Sequence, residues 1–100
     1  METWNGAYMY RKGLINLLLN HPMSVDEIAR SLDMTPGDVD DDLHHLYRSI
    51  RHTEYRLLIH RASCKQCGFR FKEDTWRKPG KCPRCHETWI QEPLLEVVRR

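Results

Sequence analysis

The chain has 100 residues, 40% of them hydrophobic and 30% charged, with 16 Lys/Arg against 14 Asp/Glu and a formal net charge of +2. That length supports one modest core, or a small core plus a metal-stapled module, and the composition is globular rather than disordered. The longest apolar stretch, residues 14–19, contains Asn16 and falls far short of the ~20 residues that span a bilayer. No secretory leader is visible, so a cytoplasmic protein without a membrane partner is expected. The overall charge balance points to no partner class, but its distribution is uneven: residues 1–61 carry a net −2 and residues 62–100 a net +4.

Three helical patterns come first. From about Tyr8 to Leu19, the residues Ile15, Leu18 and Leu19 recur at helical spacing, with Leu14 and Leu17 widening the stripe. The sequence Asn20-His21-Pro22 stops that helix. The second helix opens at Ser24, where Glu27 three residues on completes a capping box, and Val25, Ile28 and Leu32 share one face. The third opens at Thr35, with Pro36 at the first helical position and Asp38 complementing the helix dipole. Val39, Leu43, Leu46 and Ile50 follow, which carries this helix to about Arg51. Only Asp33-Met34 separates the second helix from the cap of the third. Periodicity alone allows any small three-helix bundle, but the tight corner and paired caps favour a helix-turn-helix, with Leu32 and Met34 plugging the corner.

Residues 55–61 read as a strand leading straight into Cys64, and residues 93–98 as a second strand. An antiparallel pairing of the two would form the hairpin, or wing, that follows a helix-turn-helix in winged-helix domains. The expected fold is therefore α+β: three helices plus a β-hairpin wing, formed by residues 1–62 and 92–100. A metal module over 63–91 is inserted between the wing strands. No flexible linker, repeat or low-complexity segment interrupts the chain.

Within the insertion, Cys64-Lys65-Gln66-Cys67 and Cys82-Pro83-Arg84-Cys85 are two CxxC pairs separated by fourteen residues. Two residues between cysteines let a tight turn aim both sulfurs at one point, and two facing turns complete a tetrahedral shell of four thiolates. A reducing compartment disfavours disulfides here. Four cysteines leave no open coordination position, so the expected cofactor is one structural zinc ion. Iron in the same shell, as in a rubredoxin-like redox protein, stays open. Gly68 stands where the first turn wants positive φ, and His86 takes the matching place in the second. Residues 69–76 and 87–90 read as strands of a zinc ribbon, with Phe69, Phe71, Trp76 and Trp89 as its small core. Such a core cannot hold alone, so metal binding is coupled to folding.

In a DNA-binding reading the third helix enters the major groove, and the wing or ribbon grips phosphate. The candidate contacts to double-stranded DNA are His45, Arg48 and Arg51 on the helix, and Arg70, Lys72, Arg77, Lys78 and Lys81 on the ribbon. Against this stand Asp38, Asp40, Asp41 and Asp42 in the half of the helix that usually reads bases, where acids are repelled by phosphate. A dipole-stabilised, solvated helix start accounts for these acids as well as an acidic docking face for a protein partner does. No nucleophile–base pair, phosphate-cradling glycine loop or HExxH motif is present, so no enzymatic activity is expected. The adjacent His44 and His45 diverge by ~100° on a helix and cannot share an ion.

The layout resembles a family of archaeal transcriptional regulators predicted from sequence, winged helix-turn-helix proteins with an inserted rubredoxin-like zinc ribbon. The matching features are the 24–32 helix with its Asp33-Met34 corner, Leu57 to Ile59, the run from Cys64 to Lys72, Cys82-Pro83-Arg84-Cys85, and Trp89-Ile90-Gln91-Glu92-Pro93. The resemblance spans nearly the whole chain. It implies a winged-helix fold, a structural metal on the four cysteines and a regulator that binds DNA. The alternative is an interaction module of a transcription or RNA-processing assembly.

Overall fold

The computed structural model describes residues 13–73 and 75–100. The expected first helix begins partly outside the described residues. Within them a helix, α1, covers 13–18 and ends at Asn20, whose φ of 54° lies in the left-handed region. Helix α2 spans Val25–Leu32. The Ser24 hydroxyl accepts from the Glu27 backbone N–H at 3.1 Å, and Glu27 Oε1 accepts from the Ser24 N–H at 2.9 Å, the reciprocal pair of a capping box. Asp33 then turns left-handed at φ 56°, and the Met34 N–H returns to the Ala29 carbonyl. This closes the two-residue corner, since a left-handed residue reverses the chain within one position. Helix α3, Pro36–Ser49, starts at once, with the Thr35 hydroxyl accepting from the Asp38 N–H. It tightens into a 3₁₀ turn at Ile50–His52.

Strand β1, Tyr55–His60, pairs antiparallel with β4, Leu94–Arg99, in a register that sets Tyr55 opposite Arg99 and His60 opposite Leu94. On the far edge of β4 the α1–α2 connection adds a third, short backbone pairing that the sequence did not announce. Met23 and Leu95 exchange both backbone hydrogen bonds, at 3.0 and 2.8 Å, and the Asn20 N–H donates to the Val97 carbonyl. Two further strands, β2 at Ser63–Cys64 and β3 at Ile90–Gln91, form a separate antiparallel pair.

The core lies between the helices and one face of the β1–β4 hairpin. Leu14, Leu18, Ile28, Val39, Leu43 and Leu46 from the helices meet Leu57, Leu95 and Val97 from the sheet. The period-2 alternation of β4, in which Leu95 and Val97 are buried and their neighbours half-buried, gives the hairpin its inward face. At the junction to the second strand pair no free linker exists. Ala62 is buried, its carbonyl accepts from the Phe71 N–H, and Arg61 Nε donates to the Phe71 carbonyl at 2.7 Å. Among the described residues no helix is long and apolar enough to cross a membrane.

Three expectations for the inserted segment are corrected. The described residues of 69–76 form no strand, and only an isolated bridge joins Arg70 to Ser63. The strand expected at 87–90 is confined to β3, starting at Ile90. The aromatic core is smaller than expected, because Trp89 is 58% exposed and Trp76 belongs to the helical core. Phe69 and Phe71 remain as an edge-to-face pair with ring centroids 5.1 Å apart. A metal held by the four cysteines would supply the bonds that replace most of the apolar contacts so small a unit otherwise requires.

Candidate metal centre

The two CxxC turns are built alike. In the first, the Cys64 N–H donates to the Phe69 carbonyl and the Gly68 N–H returns to the Cys64 carbonyl; in the second, Cys82 bonds to Glu87 and His86 to Cys82 in the same pattern. Each turn closes on a left-handed residue, Gly68 at φ 81° and His86 at φ 65°. The first is free of strain and the second tolerated, as the spacing anticipated. The β2–β3 pairing, together with the Lys65 N–H bonded to the Trp89 carbonyl, anchors the first turn.

This geometry brings all four sulfurs within 4.8 Å of one another. Cys64 Sγ lies 3.5 Å from Cys85 Sγ, and Cys67 Sγ lies 3.7 Å from Cys82 Sγ. A tetrahedral shell with metal–sulfur bonds of ~2.3 Å has edges of ~3.8 Å, so the cage fits a zinc-sized ion held by four thiolates. Cys64 and Cys82 are buried, whereas Cys67 and Cys85 are half-buried.

The thiol acidities point the same way. Burial works against the Cys82 thiolate, but the backbone N–H groups of Cys85 and Arg84 and the neighbouring thiols outweigh it and bring it from 9.0 down to about 7. The Arg84 N–H lies 3.4 Å from that sulfur. Burial opposes ionisation of Cys64 too, and there backbone donors again win and lower its pKa. At Cys85 the Glu87 backbone favours the thiolate, but burial and the other three sulfurs prevail and push it up to about 12. The backbone thus prepares thiolates that mutual repulsion prevents from all ionising together. A bound dication resolves that conflict.

Among the described residues these four cysteines are the only cluster of potential metal ligands. A closed four-sulfur shell holds a metal structurally and offers no position for substrate or water. The fold and site therefore define a small α+β protein carrying a rubredoxin-like zinc ribbon.

Comparison with known proteins agrees. Residues 10–58 match the PF0610-like N-terminal domain, and residues 61–100 match the PF0610 rubredoxin-like zinc β-ribbon domain. The solution NMR structure of protein PF0610 from Pyrococcus furiosus is 33% identical, with a TM-score of 0.77, over 95% of this chain and 93% of that one. The chain belongs to the PF0610-like family. No curated protein matches it.

The cations expected to meet DNA do not form one cluster. His45 and Arg48 are exposed on the outer face of α3. Arg70, Lys72 and Lys81 are exposed on the ribbon. Arg77 and Lys78 are carried back against α2 by Trp76 and share a cleft with Asp26 and Glu92, whose carboxylates weaken their field. Arg51 lies in a different cleft with Arg56 and Arg100, two arginines that the sequence reading did not single out. Their link is the β1–β4 register, which the one-dimensional pattern of charges does not display.

The position of Trp76 explains how the ribbon meets the helices. Its ring packs at 4.4 Å, centroid to centroid, on His44, and edge-on to Tyr47 at 5.8 Å. The ribbon loop therefore covers one flank of α3. The face carrying Asp38, Asp41, His45 and Arg48 stays exposed.

Proposed function

We propose that this protein is a winged helix-turn-helix regulator of transcription that binds double-stranded DNA and is braced by one structural zinc ion. Residues 1–62 and 92–100 form the winged helix, and 63–91 the inserted ribbon. The observation that carries the reading is the tight α2–α3 corner followed by the β1–β4 hairpin, with Met23 supplying the short third strand typical of winged helices. In that arrangement the second helix of the corner is the one presented to DNA. The reading assigns the protein no catalytic role and a cytoplasmic location.

The mode of contact follows from the charges. Asp38, Asp40 and Asp41 crowd the start of α3, so base reading by that half is disfavoured. Arg48, Arg51 and the exposed ribbon cations favour binding led by phosphate. Four thiolates around zinc carry a local −2 charge, which lowers the ribbon's +4 but leaves it positive.

The test is a fluorescence-anisotropy titration of zinc-loaded protein against mixed-sequence duplex at several salt concentrations. The expected slope of log affinity against log salt is about −0.9 per neutralised phosphate. Charge reversal at Lys72, Arg77 and Lys78, compared with Arg48 and Arg51, identifies the leading module. Absence of binding at low salt refutes the reading. It would favour the second one, a protein-interaction module, for which the exposed Trp89 ring and the acidic start of α3 are the supporting observations. A colourless, visible-silent native protein is expected; thiolate-to-iron absorption would instead favour the redox reading.

A further inference from the structure

Between the C-terminal end of α3 and the start of β1 lies a cleft of about 160 Å³, lined by Tyr47, Ile50, Arg51, Arg56, Leu57 and Arg100. Three of the six are arginines and none is acidic. Arg51 and Arg56 are exposed, and among the described residues neither makes an ion pair. Arg100 is held in place: its Nε donates to the Thr53 and Tyr55 carbonyls at 3.2 and 3.1 Å, and its backbone N–H donates to the Glu54 carbonyl. Those carbonyls orient the guanidinium without cancelling its charge. The Glu54 carboxylate is engaged by Arg99 at 3.2 Å. Ile50 and Leu57 are buried and give the cleft an apolar floor, and the half-exposed Tyr47 completes its lining.

Three guanidiniums gathered around one cleft with no carboxylate side chain among its lining residues repel one another, and the 3₁₀ turn that ends α3 offsets only part of that repulsion through its own dipole. An anion with several oxygens relieves it, and the planar fork of arginine matches a phosphate group. The cleft is open to solvent at the end of α3, which suits a chain of phosphates along a helix better than an enclosed metabolite.

We propose that Arg51, Arg56 and Arg100 form a phosphate-binding site that takes one backbone phosphodiester of duplex DNA. The choice of DNA as the source rests on the function proposed above. The site places a phosphate anchor at the base of the hairpin, away from the ribbon and from the acidic start of α3. Arg51 and Arg56 flank the α3–β1 turn, and Arg100 reaches them from the far end of the chain through the pairing of Tyr55 with Arg99.

The test uses the zinc-loaded full chain with arginine Nε–H signals followed by NMR, titrated first with inorganic phosphate and then with a short mixed-sequence duplex at low salt. Saturable movement of the Arg51, Arg56 and Arg100 signals with both probes is expected. Arg56→Gln and Arg51→Gln should each weaken duplex binding and reduce the salt slope by about 0.9. Arg30→Gln, an equal loss of charge on the exposed side of α2, should leave the slope unchanged. Three results overturn the site in distinguishable ways. If the duplex binds but the slope is the same in Arg51→Gln and Arg56→Gln, DNA binding stands and the anchor falls. If neither probe moves the three arginines, the site is refuted whatever the duplex does. If phosphate moves them and no duplex binds, the DNA source and the proposed function fall together.

Discussion

Replacing Trp76 by alanine separates two accounts of the ribbon. If the ring belonged to the ribbon's own core, its loss would release the metal. Trp76 is instead 6% exposed and part of the helical core, packed against His44 and edge-on to Tyr47 of α3. Truncating a buried Trp to Ala costs about 3–5 kcal/mol. His44 and Tyr47 face solvent on their other sides, so the low end, about 3 kcal/mol, applies here. A chain of this length holds only ~5–15 kcal/mol in total. At ~4–8 °C per kcal/mol the melting temperature should fall by roughly 12–24 °C. The indole N–H takes no acceptor among the described residues, which costs about 1–3 kcal/mol. Trp76→Phe removes that donor while keeping most of the ring, so it should lie within about 1 kcal/mol of the parent. The assay is denaturant unfolding followed by far-UV circular dichroism, with zinc content measured on the same samples. A Trp76→Ala protein that unfolds like the parent, or that loses its zinc while the helices keep their stability, refutes the placement.

Further expectations concern the metal centre. Cys64→Ser or Cys82→Ser should abolish stoichiometric zinc and collapse the ribbon signals in an NMR spectrum; ribbon dispersion that survives chelation would refute a structural metal. Zinc affinity should fall with pH. Loading displaces the proton of Cys85, pushed up to about 12, and below pH about 7 that of Cys82 as well, so the decline steepens there. Competitive zinc titration checks this, and a flat affinity between pH 8 and 6 would contradict it. Gly68→Ala meets no atom within 4 Å but must hold φ at 81°, so it should weaken zinc binding by about 1 kcal/mol, or roughly fivefold. His86→Gly relieves φ 65° in the matching turn and should strengthen binding by up to about the same factor; equal affinities in both variants would remove the left-handed residues from the account.

Whatever depended on neighbours in sequence was legible in it. The capping box at Ser24, the Thr35 cap, the left-handed turn residues and the four ligands follow from hydrogen bonds and dihedral preferences that act within five residues. The hairpin strands were legible too, because their alternation has a single buried face. The placement of Trp76, the exposure of Trp89, the Met23–Leu95 pairing and the gathering of Arg51, Arg56 and Arg100 were not. Each joins residues from distant parts of the chain, and one-dimensional spacing carries no record of which surfaces meet. An aromatic inside a CxxC insertion reads as ribbon core, yet two metal-clamped turns leave too little volume to bury four rings, and the helical core took one of them. By itself the sequence determined the two CxxC turns that supply the four ligands, and the helix corner, since local geometry dictates each. Only the tertiary structure decided which flank of α3 is covered and which arginines share a cleft, because packing and strand register set those distances.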